Sequence, residues 1–180
     1  MDICTYDNNY YLVVIDYYSK FIEVGKLDNL TSDCVINHCK SIFARHGIPA
    51  FVVTDCGTQF TSDRFKSFVD ANQFNHITTS PKYSQANGQS ESGVKIFKSI
   101  LKKCKEDGSD IYLGLLNYIN TAKPYLPSPA QMVYSKDLNS LIPVPKKCLK
   151  PKIVNVNYDV YNKYCDSVRN LSIKSVVKKW

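Results

Sequence analysis

The sequence predicts an α/β sandwich in which a five-stranded mixed sheet is flanked by helices and followed by a C-terminal helical extension. Three observations predict this class. The first 24 residues contain three β-rich runs separated by turn residues, as in an antiparallel meander. Beyond them, helix-spaced apolar residues alternate with short apolar runs, as in sheets covered by helices. The 180 residues, 44% apolar and 22% charged, suffice for one ordinary domain with an appendage.

The opening meander is predicted strand by strand. Residues 2–6 are β-rich, and residues 7–9 (Asp-Asn-Asn) form a turn, since Asn and Asp tolerate left-handed geometry. Residues 10–17 are almost continuously apolar, which is typical of a central strand buried on both faces. Residues 20–24 alternate and are expected to close the meander as its third strand.

A helix follows, capped by Thr31 or Ser32 and ended by Gly47. Its apolar residues recur at helical spacing, namely Val35, Ile36, Cys39, Ile42 and Phe43. Residues 51–55 then form a short apolar strand ending in an acid, and a second helix starts near Ser62. That helix is expected to bury Phe65, Phe68 and Val69.

The next elements are a strand and two further helices. Residues 76–79 form the strand, 81–88 a polar loop and 90–105 a longer helix, which Gly108 breaks. The apolar stripe of that helix is expected to face the core at Val94, Phe97, Leu101 and Cys104. Residues 112–119 form the following helix.

The C-terminal part is predicted to be an appendage. Residues 123–129 form an extended, proline-rich connection, and further prolines begin a basic tail. The chain is therefore divided into a domain at 1–145 and a basic linker and helical tail at 146–180, with a helix over 157–180. Residues 140–180 hold nine of the 23 Lys and Arg and two of the 16 Asp and Glu. Such a tail suits a polyanion such as nucleic acid, and the open alternative is a solvated tail.

Several protein classes are excluded by what the sequence lacks. The seven cysteines show no CxxC pair and the three histidines no HxxxH spacing, so neither a structural zinc site nor a disulfide framework is expected. A reduced intracellular compartment follows from this cysteine usage. The longest apolar run, at residues 10–15, is too short to span a membrane, and no signal peptide is expected at the N-terminus.

Three acids stand where such a sheet would gather them. Asp2 lies on the first strand, Asp55 ends the fourth, and Glu91 lies in the first turn of the long helix. Converging carboxylates bind hard cations such as Mg²⁺, and two such ions support in-line phosphoryl transfer. The respective alternatives are a frayed terminus, an acid in a loop and a helix N-terminal acid favoured by the dipole.

The residues around these acids resemble the signature blocks of retroviral and gypsy-type LTR retrotransposon integrases. The blocks are VTDCGTQF at 53–60, SQANGQSE at 84–91, and MDI at 1–3 with YLVVIDYYSK at 11–20. Between Asp55 and Glu91 lie 35 residues, which is the spacing of the D,D-35-E family. By this match the first acid is Asp2 and not Asp16. The resemblance covers about residues 2–145.

The resemblance implies an RNase H-like fold and the activity of a retrotransposon integrase catalytic core. It implies that Asp2 bridges two Mg²⁺ or Mn²⁺ ions, with Asp55 and Glu91 each holding one. Such cores process the 3′ ends of the element's DNA and then transfer the strands to target DNA. The implied partners are therefore element ends and target DNA, with no membrane, and the implied state is a nuclear homo-oligomer.

The long helix is predicted to carry DNA contacts beside Glu91. Lys95 and Lys98 follow it at steps of four and seven, on one helical face, where lysines can seat phosphates. The resemblance adds Gln85 and Asn87, in a mobile loop near the DNA end. The alternatives are pairing of Glu91 with Lys95, a solvated charged face, and an ordinary Asn-Gly turn.

Departures from the family pattern leave a second function open. Cys56 stands where the family often has Asn, and residues 82–84 (Lys-Tyr-Ser) replace the common Tyr-His-Pro. The chain also begins one residue before Asp2, without the zinc-binding N-terminal domain of the family. Whether it is an active polynucleotidyl transferase, or endonuclease, therefore stays open. The alternative is a catalytically inactive or domesticated integrase fragment that retains nucleic-acid binding.

Overall fold

A computed structural model of the chain describes residues 1–79 and 84–153, together with residues 157, 159–160 and 162–163 of the tail. It divides into two compact units, Met1–Leu115 and Leu116–Trp180. Each unit is described below by itself. The domain boundary expected at residue 145 stays a prediction.

The first unit opens with three antiparallel strands in the order β1 (Asp2–Tyr6), β2 (Asn9–Ile15) and β3 (Ile22–Leu27). The first hairpin turns on Asp7 and Asn8, whose φ angles are 47° and 58°. Two consecutive left-handed residues make the type of turn whose twist matches that of the flanking strands. The predicted strand and turn are therefore confirmed.

The third strand was expected at 20–24, but it begins only at Ile22 and runs to Leu27. The reason is the turn before it. Lys20 has a φ of 61°, and its nitrogen donates to the Asp16 carbonyl oxygen at 3.0 Å. The Asp16 carboxylate accepts from the Ser19 nitrogen at 2.7 Å and from the Ser19 hydroxyl at 2.6 Å. These bonds hold the residues before Ile22 out of the ladder.

The first helix, α1 (Ser32–His46), confirms the expected caps. The Thr31 hydroxyl accepts from the Cys34 nitrogen at 3.3 Å, which satisfies one of the free donors at the helix start. Gly47 ends the helix with a φ of 85°, and its nitrogen donates to the Phe43 carbonyl at 2.8 Å. A residue with a Cβ would be strained at that angle, which is why glycine suits this position.

The segment after α1 holds two parallel strands and two helices. β4 (Phe51–Thr54) pairs in parallel with β5 (Asn75–Thr78), and between them lie α2 (Thr58–Thr61) and α3 (Asp63–Asn72). Ser62 caps α3, as predicted. The short helix α2 was not predicted, because four residues are too few for a helical period to be visible in the sequence.

The five strands form two sheets rather than the single mixed sheet that was expected. β1, β2 and β3 make one sheet, and β4 and β5 make the other. The Met1 nitrogen donates to the Val53 carbonyl oxygen at 2.5 Å, across the gap between β1 and β4. One such bond aligns the two sheets at this point without making a ladder, which needs successive pairs.

The long helix, α4 (Ser84–Asp107), begins earlier than predicted. The expected polar loop at 81–88 is therefore wrong from Ser84 onward, while residues 80–83 lie outside the described part of the chain. Gly93 of α4 lies so close to β2 that an added Cβ would be 3.3 Å from Ile15. Packing of this kind overrides the weak helix propensity of the Asn and Gly residues in the first turns.

β2 is buried on both faces, as its apolar run predicted. Tyr11 faces α4, where its ring meets Phe97 edge-on with centroids 5.2 Å apart. Leu12 points to the opposite side, as alternation along a strand requires. There it joins the main core, which consists of Met1, Leu12, Leu27, Val35, Ile36, Cys39, Val52, Phe60, Phe65, Phe68 and Phe74.

The second unit starts inside α5 (Ile111–Asn120), which confirms the predicted helix at 112–119. It continues through α6 (Pro129–Tyr134) to a 3-10 turn at Lys146–Leu149. The helix α6 was not predicted, because its prolines suggested an extended connection. Pro129 instead occupies the first turn of the helix, behind a capping box that Ser128 makes with Gln131.

The predicted helix over 157–180 falls mostly outside the described residues, although residues 159–160 and 162–163 are helical. Within the described ranges, no helix is both long and apolar enough to cross a membrane. The six cysteines described by the structure are all free thiols.

Candidate active site

The structure places the three predicted acids on three different elements. Asp2 is the first residue of β1, and Asp55 follows the last residue of β4. Glu91 is the eighth residue of α4, so its expected position in the first turn is wrong. This placement removes the helix-dipole explanation for Glu91, because that effect is confined to the first turn of a helix.

One backbone atom joins the three segments that carry these acids. The Met1 nitrogen lies 2.5 Å from the Val53 carbonyl oxygen and 3.3 Å from the Ser90 hydroxyl oxygen. Met1 directly precedes the first acid, Val53 stands two residues before the second, and Ser90 directly precedes the third. Ser90 is buried, with 1% of its surface exposed. The first strand, the fourth strand and the long helix therefore meet at the predicted site.

The pKa of Asp2 is raised, and the other two carboxylates are among the causes. Burial is the main cause that raises this pKa, and the charges of Asp55 and Glu91 raise it further. A hydrogen bond from the Ile3 nitrogen to the Asp2 carboxylate, at 2.7 Å, acts in the opposite direction. Mutual repulsion among partly buried carboxylates is relieved when a cation binds between them.

The donor set fits a hard divalent cation in its chemistry, since all three ligands would be carboxylate oxygens. Its side chains are not already closed around such an ion. Among the residues that the structure describes, no group of three or more His, Cys, Asp or Glu is arranged to hold a metal.

Asp16, the competing first acid, has a different role. Its carboxylate is used by the turn between β2 and β3, through the two bonds to Ser19. The Phe21 nitrogen in turn donates to the Ser19 hydroxyl at 3.1 Å. This geometry explains Asp16 as a turn residue, and it agrees with the choice of Asp2 as the first acid of the site.

Sequence reasoning missed two residues that lie behind Asp55. The side-chain hydroxyl of Thr54, which is 0% exposed, donates to the Asp55 carbonyl oxygen at 2.8 Å. The same hydroxyl lies 2.8 Å from Nε2 of His76 on β5. On the far side of Asp55, the Gly57 nitrogen donates to its carboxylate at 3.1 Å. A threonine directly before a predicted site acid could have suggested a supporting hydroxyl. Nothing in the sequence indicates that its partner is His76, 22 residues later.

The helix α4 presents Lys95 and Lys98 on its exposed side, as predicted. Neither takes part in a salt bridge among the described residues, so the expected alternative of Glu91–Lys95 pairing is not observed. Lys102 and Lys105, further along the helix, pair with Glu106 at 3.9 Å and with Asp7 at 2.6 Å.

Lys98 also lies on the Asp2 side of the site. Burial raises the pKa of the Cys4 thiol, and the nearby charge of Lys98 lowers it. Cys4 stands two residues after Asp2 on β1 and therefore on the same face of that strand. The lysine charge is thus close to the edge of the sheet that carries the first acid.

Gln85 and Asn87 lie in the first turns of α4 rather than in the loop that was expected. The orientation of their side chains lies outside the described part of the chain. Their predicted contacts with DNA therefore stay predictions.

The chain is similar to known proteins in sequence. Residues 1–84 match the family model described as integrase core domain. Over 165 residues, or 86% of the chain, it is 27% identical to an uncharacterized protein of Caenorhabditis elegans, of which it covers 13%. Over 110 residues, or 59% of the chain, it is 31% identical to the Gag-Pro-Pol polyprotein of Mason-Pfizer monkey virus, of which it covers 6%. The chain thus spans a small part of the curated relatives it matches.

Two solved structures resemble its fold. The catalytic core domain of BIV integrase matches 74% of the chain and 91% of its own length, at a TM-score of 0.64 and 16% identity. The predicted resemblance to integrase catalytic cores is confirmed. A chain of the simian T-cell lymphotropic virus intasome structure matches 86% of this chain and 57% of its own length, at a TM-score of 0.65 and 19% identity. The integrase-core likeness confirms the predicted RNase H-like α/β fold.

The match to the integrase core domain model covers only two of the three acids. Residues 1–84 include Asp2 and Asp55 but stop before Glu91. The role of Glu91 therefore stays a prediction from the 35-residue spacing, while the contact between Ser90 and Met1 places its segment beside the other two.

Proposed function

We propose that this chain is the catalytic core of an LTR retrotransposon-type integrase, which performs DNA integration by 3′-end processing and strand transfer. The observation that carries the proposal is the meeting of the three acid-bearing segments at the Met1 nitrogen. The likeness to integrase cores in sequence and in fold supports it. The reaction class is phosphoryl transfer on DNA.

In this proposal the three carboxylates act as metal ligands and not as general acids. Asp2, Asp55 and Glu91 would together hold two Mg²⁺ or Mn²⁺ ions. When bound, such a pair of ions activates the attacking oxygen and stabilises the leaving oxygen of an in-line displacement. Burial is the main cause of the raised pKa of Asp2, and the added contributions of Asp55 and Glu91 support this role, because a cation between carboxylates relieves their repulsion.

The reaction needs two successive displacements at phosphorus. In the first, water attacks a phosphodiester near the 3′ end of the element's DNA and releases a short 3′ fragment. The new 3′-OH then attacks a phosphodiester of the target DNA, and the target's 3′ oxygen leaves. Each step exchanges one P–O bond for another, so no oxidant, reductant or covalent protein–DNA bond is required.

The DNA is held on α4 beside the acids. Lys95 and Lys98 are exposed and without ion pairs among the described residues, which supports their use as phosphate contacts. Gln85 and Asn87 act near the DNA end, at the start of the same helix. A lysine that pairs with an acid, such as Lys105 with Asp7, attracts a phosphate less strongly, because the carboxylate lowers the local positive potential.

A second basic segment in the C-terminal unit also favours a nucleic-acid partner. Lys146, Lys147, Lys150 and Lys152 are all exposed, and none forms a salt bridge within the described residues. Backbone bonds hold this segment, since the Asp137 nitrogen donates to the Cys148 carbonyl at 3.0 Å. Unpaired lysines on an ordered backbone release counterions when they meet phosphates.

The proposal includes a homo-oligomer and a nuclear location. A chain of an intasome structure is among the proteins of similar fold, which supports assembly of several copies. The nuclear location follows from the proposed target DNA alone.

The alternative function is a catalytically inactive or domesticated integrase fragment that retains nucleic-acid binding. The observation that favours it is the row of exposed lysines in the C-terminal unit, at Lys146, Lys147, Lys150 and Lys152, which can contact phosphates without any metal. It predicts salt-sensitive DNA binding without metal-dependent cleavage.

Calorimetry with Mn²⁺ and cleavage of an element-end DNA test the proposal. We expect the wild type to bind Mn²⁺ and to cleave, and Asp2→Asn and Asp55→Asn to lose cleavage by roughly a thousandfold, since the ions supply several kcal/mol to the transition state. Asp28→Asn removes an exposed acid elsewhere and is the matched control. Undiminished cleavage by Asp55→Asn would overturn the three-carboxylate site. DNA binding by a wild type that binds no Mn²⁺ would favour the inactive fragment.

A further inference from the structure

A partly buried hydrogen-bond chain runs from β5 to the backbone of Asp55. Nε2 of His76 lies 2.8 Å from the Thr54 hydroxyl, which donates to the Asp55 carbonyl oxygen at 2.8 Å. The carbonyl of Thr54 is itself held twice, by the Thr79 nitrogen at 2.9 Å and by the Thr79 hydroxyl at 3.1 Å. The carbonyl oxygens of Thr54 and Asp55 are therefore both hydrogen-bonded.

The hydrogen-bond chain begins where the β4–β5 ladder ends. β4 ends at Thr54, whose carbonyl receives its bond from the next strand segment through Thr79. Asp55 is the first residue past the ladder, so its carbonyl needs another donor. The Thr54 hydroxyl supplies that donor, and it can do so only while it is held at the right rotamer.

A proton count assigns the role of the histidine. A threonine hydroxyl has one proton, and the Thr54 proton is used in the bond to the Asp55 carbonyl. The contact with His76 must therefore run the other way, with Nε2–H donating to the Thr54 oxygen. In the neutral ring this leaves the proton on Nε2 and a bare Nδ1. Burial lowers the pKa of His76, which favours that neutral ring.

Packing holds the ring in place for this bond. The ring of Phe65 meets the His76 ring at a centroid distance of 5.1 Å and an angle of 61°. Phe65 is 0% exposed and belongs to the main core. The imidazole is thus supported on one side by the core and on its Nε2 edge by Thr54.

We propose that His76 is a positioning residue for Asp55. Its Nε2–H sets the rotamer of the Thr54 hydroxyl, which in turn sets the Asp55 peptide from which the carboxylate projects. This inference rests on the proposed function, in which Asp55 is a metal ligand. His76 acts through Thr54 and the backbone, and it contacts neither the metal nor DNA.

The first test measures Mn²⁺ affinity by calorimetry on two variants of the full chain. His76→Phe keeps a ring beside Phe65 but removes the donor, while His76→Gln places an amide N–H near the position of Nε2. We expect His76→Phe to weaken Mn²⁺ binding by roughly three- to tenfold, less than the loss of a direct hydrogen-bond partner of a ligand. His76→Gln is expected to restore the affinity to within about twofold of the wild type.

Two controls separate this inference from a loss of stability and from the proposed function. Phe43→Leu removes the ring contacts with Phe68 and Phe74 and leaves the His76 ring and its hydrogen bond in place, so it should lower the melting temperature and leave Mn²⁺ affinity unchanged. Asp55→Asn should abolish binding. If Asp55→Asn loses Mn²⁺ while His76→Phe binds like the wild type, the positioning role is wrong and the site stands. If Asp55→Asn binds normally, the metal site itself is wrong.

Nitrogen NMR of the wild type tests the same geometry without any substitution. The spectrum should show His76 with a protonated Nε2 and an unprotonated Nδ1 at neutral pH. The opposite tautomer would overturn the proposal, because Nε2 would then have no proton to give to Thr54. Thr54→Val, which keeps the shape but removes the hydroxyl, should reproduce the affinity of His76→Phe, and combining the two should add little.

Discussion

The two acids at the strand ends are supported in different ways. Both acids stand at the end of a strand that is paired along its whole length on one edge, Asp2 on β1 beside β2 and Asp55 after β4 beside β5. On the Asp55 side, the Thr54 hydroxyl donates to the Asp55 carbonyl oxygen and lies 2.8 Å from Nε2 of His76. On the Asp2 side, the bonds to the fourth strand and to α4 come from the Met1 nitrogen. The Asp55 side is therefore a scaffold braced by side chains, and the Asp2 side is the end of the edge strand of the three-stranded sheet.

The two carboxylates each accept one backbone hydrogen bond, Asp2 from the Ile3 nitrogen at 2.7 Å and Asp55 from the Gly57 nitrogen at 3.1 Å. Burial raises the pKa of Asp2, and the charges of Asp55 and Glu91 raise it further. The surroundings of Asp2 therefore disfavour its charged form.

The largest expected effect is on the free energy of unfolding, after a core substitution on the Asp55 side. Phe65 is 0% exposed and meets the rings of Phe60, Phe68 and His76 at centroid distances of 5.1–5.8 Å. Phe65→Ala should lower the free energy of unfolding by about 3–5 kcal/mol, measured by urea denaturation. Tyr112→Ala, at a side chain that is 72% exposed, should change it by less than about 0.5 kcal/mol. A loss below about 1 kcal/mol for Phe65→Ala would contradict the braced scaffold.

An intermediate effect is expected for DNA binding on the Asp2 side. The double variant Lys95→Ala, Lys98→Ala should reduce the slope of log affinity against log salt by about 2, since each phosphate contact on duplex DNA contributes about 0.9. Fluorescence anisotropy across a salt series measures this slope. The matched control is Lys102→Ala with Lys105→Ala, which removes the same charge from lysines already paired with acids. Equal slopes for the two double variants would refute a special role for the unpaired lysines.

The smallest effect concerns the pH dependence of stability at the edge. The pKa of Asp2 is higher in the folded protein than in the unfolded chain, so its contribution favours folding below the unfolded pKa and is lost as pH rises through the folded pKa. Without metal, Asp2→Asn should therefore raise the melting temperature at pH 7 by about 1–3 °C, with the gain vanishing near pH 3. Thermal unfolding followed by circular dichroism measures it, with Asp28→Asn as control. A lower melting temperature for Asp2→Asn at pH 7 would show that burial and repulsion together do not disfavour the charged form of this carboxyl in the folded protein.

The features that could be predicted from the sequence are those set by neighbouring residues. The Asp7–Asn8 turn depends on side chains that tolerate positive φ, and the ends of α1 depend on Thr31 and Gly47. Such interactions act over four residues or fewer, so their signal is local. The positions of Asp2 and Asp55 at strand ends followed from the same kind of pattern.

The start of α4 and the partner of Thr54 were missed because they depend on contacts between distant segments. The start of α4 was placed too late because Asn87 and Gly88 suggest a turn, while packing of Gly93 against Ile15 supports a continuous helix. The late start of the third strand has a local cause instead, because bonds between the Asp16 carboxylate and Ser19 lengthen the turn before Ile22.

By itself, the sequence determined the order of the strands and the longer helices, the three acids and their family spacing, because periodicity, caps and motif blocks are properties of the chain. Only the tertiary structure decided that the three acid-bearing segments meet at Met1, and that Thr54 and His76 stand behind Asp55. It also showed that Lys102 and Lys105 form ion pairs, whereas Lys95 and Lys98 on the same helix form none among the described residues. The physical reason is that hydrogen bonds and charge interactions depend on distance in space, and residues 22 to 89 positions apart acquire that distance only when the chain folds.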